Sequence, residues 1–172
     1  MSAATADLDV HLILRQDDEI LLALRAGDVY GSGQWALPCG KVKPPEGTDT
    51  VGESVVTAIV REAYEELGIA LDPAELTIGQ TVHARHGTTD HFGVFFEART
   101  WTGTLTNREE EKCTALRWFP MTKLPAPLMD YSAAGLRGYF DAAGGLSVYG
   151  GDLEATTVRP AATTTARHED HH

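Results

Sequence analysis

Residues 8–14 alternate apolar and polar side chains, and residues 20–24 resume an apolar run after the polar turn Gln16-Asp17-Asp18-Glu19. This pattern predicts two strands joined as a hairpin. A Gly-rich loop follows over 26–34, then a short strand over 35–37 that Pro38 stops. Residues 53–67 change period. Val55, Val56, Ile59, Ala63 and Leu67 fall on one stripe at helical spacing, with no Pro or internal Gly, and Gly68 stands where a left-handed C-terminal cap belongs. Residues 71–75 read as a turn, 77–85 and 91–99 as strands joined by a polar loop, and 115–119 as another strand. Residues 130–142 read as a closing helix with Tyr131, Ala134, Leu136, Tyr139 and Phe140 available to pack. From Gly144 the composition turns to Gly, Thr, Ala and charge. The expected organisation is a flexible N-terminus over 1–7, one domain over 8–142 and a flexible tail over 143–172. Strands on both sides of a central helix, with a second helix at the end, predict an α/β sandwich.

The 53–67 helix carries the chemistry. Glu62, Glu65 and Glu66 stand at i, i+3 and i+4 and share a face that borders the apolar stripe. Carboxylates crowded where a helix meets its domain repel one another and resist ionisation. Mg²⁺, or Mn²⁺ in its place, relieves that repulsion, because hard cations bind a few carboxylates together with substrate phosphates. Arg61 lies four residues before Glu65 and eight after Glu53, within reach of either. An acidic surface helix with routine pairing would produce each Glu singly. The joint spacing of Glu53, Arg61, Glu62, Glu65, Glu66 and Gly68 arises by chance on the order of 10⁻⁵ of the time in a chain of this length.

That spacing, counted from Gly47 through Gly68-Ile69, resembles the signature of the Nudix hydrolases. The lead-in Gln34-Trp35-Ala36-Leu37-Pro38-Cys39-Gly40-Lys41-Val42 and the later Leu116-Arg117-Trp118-Phe119-Pro120 resemble further segments of the family, so the likeness runs from about Val10 to Phe140 and is closest to the MutT-like branch. There are two departures. An insert over 45–51 separates Pro44 from Gly52-Glu53-Ser54, which makes Gly40 a better structural counterpart of the family glycine than Gly47. Cys39 stands where many members have Gly, a position that offers a backbone carbonyl to the metal.

The resemblance implies an α/β/α sandwich with a mixed central sheet and metal-dependent cleavage of a diphosphate linkage in a nucleotide. It implies Glu62 and Glu66 as the firmest metal ligands, Glu65 beside them, and Glu53 in the metal network or bracing Arg61. It also implies a general base from a later loop, for which Glu109, in the run Glu109-Glu110-Glu111, is the favoured residue. Lys41 and Arg25 are candidates for the phosphates, Trp35 for stacking on a base, and His83, His86 or His91 for a base edge. The leading activity is conversion of a nucleoside triphosphate to monophosphate and pyrophosphate. The alternatives are hydrolysis of a nucleoside diphosphate-sugar or dinucleotide, and a non-catalytic nucleotide sensor. Ala84-Arg85-His86-Gly87 lacks the Pro or Tyr that marks the ADP-ribose and diadenosine subfamilies, and a sensor would have shed box carboxylates that are all present here.

Composition narrows the partners. The 172 residues are 42% apolar, enough for one domain with a real core. A net charge of −11 opposes binding of long nucleic acid, which needs Lys and Arg against phosphate, and leaves small phosphorylated nucleotides as substrates. Two cysteines suit a reducing cytoplasm. The first residues lack the pattern of a secretory signal, and no apolar run reaches membrane-spanning length. A homodimer is compatible with the implied fold.

Overall fold

The structure, a computed structural model, describes residues 6–46, 52–151 and 155–162. Among the described residues nine strands, β1 (Ala6–Gln16), β2 (Glu19–Arg25), β3 (Trp35–Ala36), β4 (Cys39–Lys41), β5 (Thr77–His86), β6 (Thr89–Ala98), β7 (Cys113–Pro120), β8 (Leu146–Tyr149) and β9 (Thr156–Val158), form one mixed sheet. Two helices, α1 (Val55–Leu67) and α2 (Asp130–Ala142), cover it, with a one-turn 3-10 helix over Pro73–Glu75. β1 lies at the centre, parallel to β6 and antiparallel to β2 and β4. The expected hairpin of β1 and β2 forms, as does the antiparallel pair β5 and β6.

Because β1 is covered on both faces, its middle is buried continuously. Side chains on successive residues point to opposite faces. Val10, Leu12 and Leu14 pack under Ala58, Ile59, Ala63 and Leu67 of α1. Ile13 joins Val82, Ala84 and Phe95 beneath Tyr131, Leu136 and Tyr139 of α2. Two cores, one per face, give the α/β/α sandwich.

Two boundaries differ from the sequence reading. β1 begins at Ala6, inside the segment expected to be flexible. β8 and β9 lie inside the expected C-terminal tail, with β8 parallel to β5 and β9 antiparallel to β8. Leu146-Ser147-Val148-Tyr149 alternates over only four residues amid glycines, too short a run to register as a strand until β5 offers it an edge.

Candidate active site

α1 starts and stops where its residues require. The Ser54 hydroxyl accepts the Thr57 N–H at 3.0 Å, and Gly68 ends the helix at φ 69°, its N–H returning to the Tyr64 carbonyl. The insert does not disturb this start. Glu53 N–H donates to the Lys43 carbonyl at 3.2 Å and Lys43 N–H to Glu53 Oε2 at 2.9 Å, so the chain is pinched shut at the insert's base. Gly47 lies outside the described residues. Gly40 shows why a glycine belongs on β4: a Cβ there would collide with the Glu62 carboxylate.

Arg61 organises the acids. Its Nε and Nη2 reach the two oxygens of Glu53 at 2.7 and 2.9 Å, and Nη1 reaches Glu62 Oε1 at 2.6 Å and Glu65 Oε2 at 2.9 Å. The guanidinium holds the Glu53 carboxyl below the usual carboxylate range. Glu53 is therefore placed to brace Arg61. Burial raises the Glu62 carboxyl despite Arg61. Among the described residues Glu66 forms no ion pair, and only the charge of Arg25 favours its ionisation from a distance. It accepts the Cys39 N–H at 3.2 Å, while enclosure by the protein, then the charges of Glu62 and Glu109, push its carboxyl up to about 8. Ionising a carboxyl held this high at the junction of helix and sheet would be eased by a cation beside it.

Glu109 is brought to Glu66 by the chain rather than by chance. Thr106 N–H and Arg108 N–H donate to the carbonyls of Leu67 and Glu66, and the Arg108 guanidinium lies 4.7 Å from the Tyr64 ring centroid, so the 104–113 loop is docked on the end of α1. Lys112 Nζ holds Glu109 Oε1 at 2.9 Å. Among the described residues no three carboxylate, His or Cys side chains yet enclose a point where an ion would sit. Glu62 and Glu65 are turned onto Arg61, and Glu109 onto Lys112.

Glu62, Glu65, Glu66 and Glu109 line a cavity of about 510 Å³, together with Arg25, Lys41 and Cys39. Lys41 is paired with Asp7 at 2.7 Å, and Arg25 Nε with the Tyr30 carbonyl. The Cys39 thiol is pushed up to about 12, by burial first and then by Glu66, so it stays protonated. Two expected contacts fall elsewhere. Trp35 packs edge-on against Phe119 at 4.8 Å and is not among the cavity residues, because β3 turns it into the core beside β7. His83 stacks on Phe92 at 4.7 Å. It pairs with Phe92 across β5 and β6, whereas His91 pairs with Ala84, so alternation puts His83 on the face away from the cavity. His86 and His91 do line it. The sequence reading passed over Asp9, His11 and Tyr131, which also line it. The signal of Asp9 and His11 was present in the polar side chains at 7, 9 and 11, which alternate with apolar ones at 8, 10 and 12.

The model of the NUDIX domain matches residues 6–139. The chain belongs to the Nudix family. This Nudix chain is 34% identical over 119 residues to the human 8-oxo-dGDP phosphatase NUDT18, covering 68% of its own length and 33% of the relative's. It therefore spans about a third of the length of the first curated relatives it matches. It is 31% identical over 134 residues to the CTP pyrophosphohydrolase of Escherichia coli, covering 70% of this chain and 87% of that one. Among solved structures, the MutT NUDIX hydrolase from Burkholderia pseudomallei superposes with a TM-score of 0.66 at 28% identity, covering 77% of this chain and 97% of the other. The Nudix fold expected from the sequence is thus the fold observed, and the chain belongs to the MutT-like branch of the Nudix hydrolases. Among the described residues no helix is long and apolar enough to cross a membrane.

Proposed function

We propose that this protein is a Mg²⁺-dependent cytoplasmic hydrolase that converts a nucleoside triphosphate to the monophosphate and pyrophosphate. The observation that carries the reading is that Glu62, Glu66 and Glu109 line one nucleotide-sized cavity, where the charges of Glu62 and Glu109 add to burial in raising the Glu66 carboxyl. The donor set fits a hard divalent ion, since it is oxygen throughout. Glu62, Glu65 and Glu66 would hold it, with the Cys39 carbonyl beside them. When bound, such an ion draws charge from phosphate oxygens and eases deprotonation of water.

The rest falls to the chain's own groups. Arg61, anchored on Glu53, fixes how Glu62 and Glu65 present their oxygens. Lys41 and Arg25 supply positive charge to the phosphates along the cavity wall. Glu109, oriented by Lys112, accepts a proton from the attacking water. The water oxygen bonds to phosphorus in line, and the pyrophosphate oxygen leaves with the electron pair of the broken bond. Both cysteines are free, which suits a reducing compartment.

One observation favours a second substrate class: the 34%-identical relative is named a phosphatase of 8-oxo-dGDP, a diphosphate. Chromatography and phosphorus NMR of products from nucleoside tri- and diphosphates, with Mg²⁺ and with chelator, separate the two. Pyrophosphate from a triphosphate supports the leading reading. Orthophosphate from diphosphates alone moves the assignment to the second. Equal turnover in chelator overturns the metal-dependent account.

A further inference from the structure

Glu109 sits in a turn whose two ends are tied to different parts of the fold. On the near side, the Thr106 and Arg108 N–H groups donate to the Leu67 and Glu66 carbonyls in the last turn of α1. The Arg108 guanidinium adds a bond to the Tyr64 carbonyl at 3.2 Å. On the far side, the Ala26 N–H, just past β2, donates to the Lys112 carbonyl at 2.8 Å, and Cys113 opens β7. Gly27 lets the two chains pass this closely, since a Cβ there would collide with the Glu111 carbonyl oxygen.

Asn107 joins the two sides. Residues 105, 107 and 109 are half-buried while 106, 108 and 110 are exposed, so Asn107 and Glu109 face inward together, and both line the cavity. Asn107 Oδ1 accepts the Glu109 N–H at 3.2 Å, and Nδ2 donates to the Cys113 carbonyl at 2.6 Å. The Glu109 carbonyl in turn accepts the N–H groups of Lys112 and Cys113, each at 2.9 Å. Both backbone polar groups of Glu109 are therefore held. Asn carries an acceptor and a separate donor on a one-carbon stem. Asp would keep the acceptor and set a second oxygen against the Cys113 carbonyl, and Ala would leave both groups open. Asn is common in turns as a local shaping device. Here the same side chain also reaches the first residue of the next strand, so it fastens the turn at both ends.

We infer that Asn107 is a positioning residue for hydrolysis: by fixing the backbone of Glu109 it sets how far the Glu109 carboxylate stands from the attacking water. The inference rests on Glu109 as the general base of the reading above. Lys112 aims that carboxylate, but the pair is partly exposed and holds weakly, so it aims from wherever the backbone stands. A base works only within hydrogen-bond reach of the proton it takes. A displacement of about 1 Å costs on the order of a hundredfold in rate. Asn107 acts through Glu109, its own amide being engaged by backbone at both ends.

The test is a double-variant cycle of Asn107→Ala and Glu109→Gln, read by steady-state kinetics with Mg²⁺ on the nucleotide that wild type turns over. Asn107→Ala should lower kcat about tenfold or more and leave KM within about twofold. In the Glu109→Gln background the same change should move kcat by less than about twofold, because the group it positions is already gone. Hydrogen exchange by NMR in EDTA supplies a readout without metal or turnover. The Glu109 amide should exchange at least about fivefold faster in Asn107→Ala, with the amides of α1 unmoved. Asn107→Asp, which keeps the acceptor and loses the donor, should fall between the two in kcat, and it carries the same cycle if the alanine variant does not fold. Wild-type kcat in Asn107→Ala, an unchanged Glu109 amide, or an equal loss in both backgrounds overturns the inference; the last would mean that Asn107 touches the substrate itself. Full turnover by Glu109→Gln refutes the base assignment and takes the inference with it, whereas a slow Glu109→Gln beside a fast Asn107→Ala refutes the inference alone.

Discussion

Glu66→Gln in the metal-free protein should stabilise the fold at pH 8 and abolish the response of stability to Mg²⁺. The wild-type carboxyl is pushed up to about 8 by enclosure and by Glu62 and Glu109, from an ordinary value of 4.5. The folded state therefore holds a proton that the unfolded chain releases between those values, and stability falls as pH rises through that window. At pH 7, which lies above the unfolded value and below the folded one, the retained proton corresponds to about 3 kcal/mol for a fully enclosed group. Cavity water reaches part of this side chain, which discounts the figure to roughly 1–3 kcal/mol. Gln keeps an acceptor for the Cys39 N–H and carries no charge, so the variant escapes this penalty. Thermal unfolding in EDTA should place its Tm about 3–10 °C above wild type at pH 8, with the gap closing toward pH 4.5. Adding 10 mM Mg²⁺ (a roughly saturating concentration for a carboxylate site) should raise the wild-type Tm through linkage and leave the variant unmoved. A variant that melts lower than wild type at pH 8 without metal would refute the reasoning, since Glu66 would then be stabilised by a partner rather than strained.

Three further outcomes follow from the same geometry. Arg61→Ala strips one partner from Glu53, Glu62 and Glu65 at once, and should cost about 2–4 kcal/mol in urea unfolding along with metal affinity; Lys, which cannot fork, should restore little of either. Gly40→Ala places a methyl against the Glu62 carboxylate, so activity measured on a nucleoside triphosphate should drop at least about tenfold with little loss of secondary structure by circular dichroism. His11→Leu should raise stability by about 1–3 kcal/mol at pH 7, because a buried imidazole without hydrogen bonds is removed. The advantage should widen toward pH 4. The wild-type imidazole is held down to about 3 when folded and titrates near 6.5 when unfolded, so its contribution is full above 6.5 and is lost as pH falls.

What was readable in the sequence follows physical lines. α1 was legible because its apolar stripe, its Ser54 and Gly68 caps and its acids all agree, and α2 emerged over its full span from the 3.6-residue period. β8 and β9 were not, since short strands at a sheet edge depend on the neighbour they pair with. In the site, the Glu53–Arg61 pair and the pocket positions of Glu62, Glu65, Glu66 and Glu109 follow from one helix and one docked loop. The placement of His83 and Trp35 off the cavity lining was not readable, because a face on a strand is set by register, which spacing alone does not reveal. Asp9 and His11 went unread for the opposite reason: polar residues on a central strand look like an ordinary half-exposed alternation until a covering helix buries them.

The central claim is that the α1 carboxylates hold a divalent ion that cleaves a nucleotide. Its most direct test is pyrophosphate release from a nucleoside triphosphate by wild type and by Glu62→Gln, each titrated with Mg²⁺ from chelator upward. The account predicts release only in wild type with Mg²⁺, and at least about a hundredfold loss in the variant across the titration. Full release by Glu62→Gln, or by wild type in chelator, would contradict it.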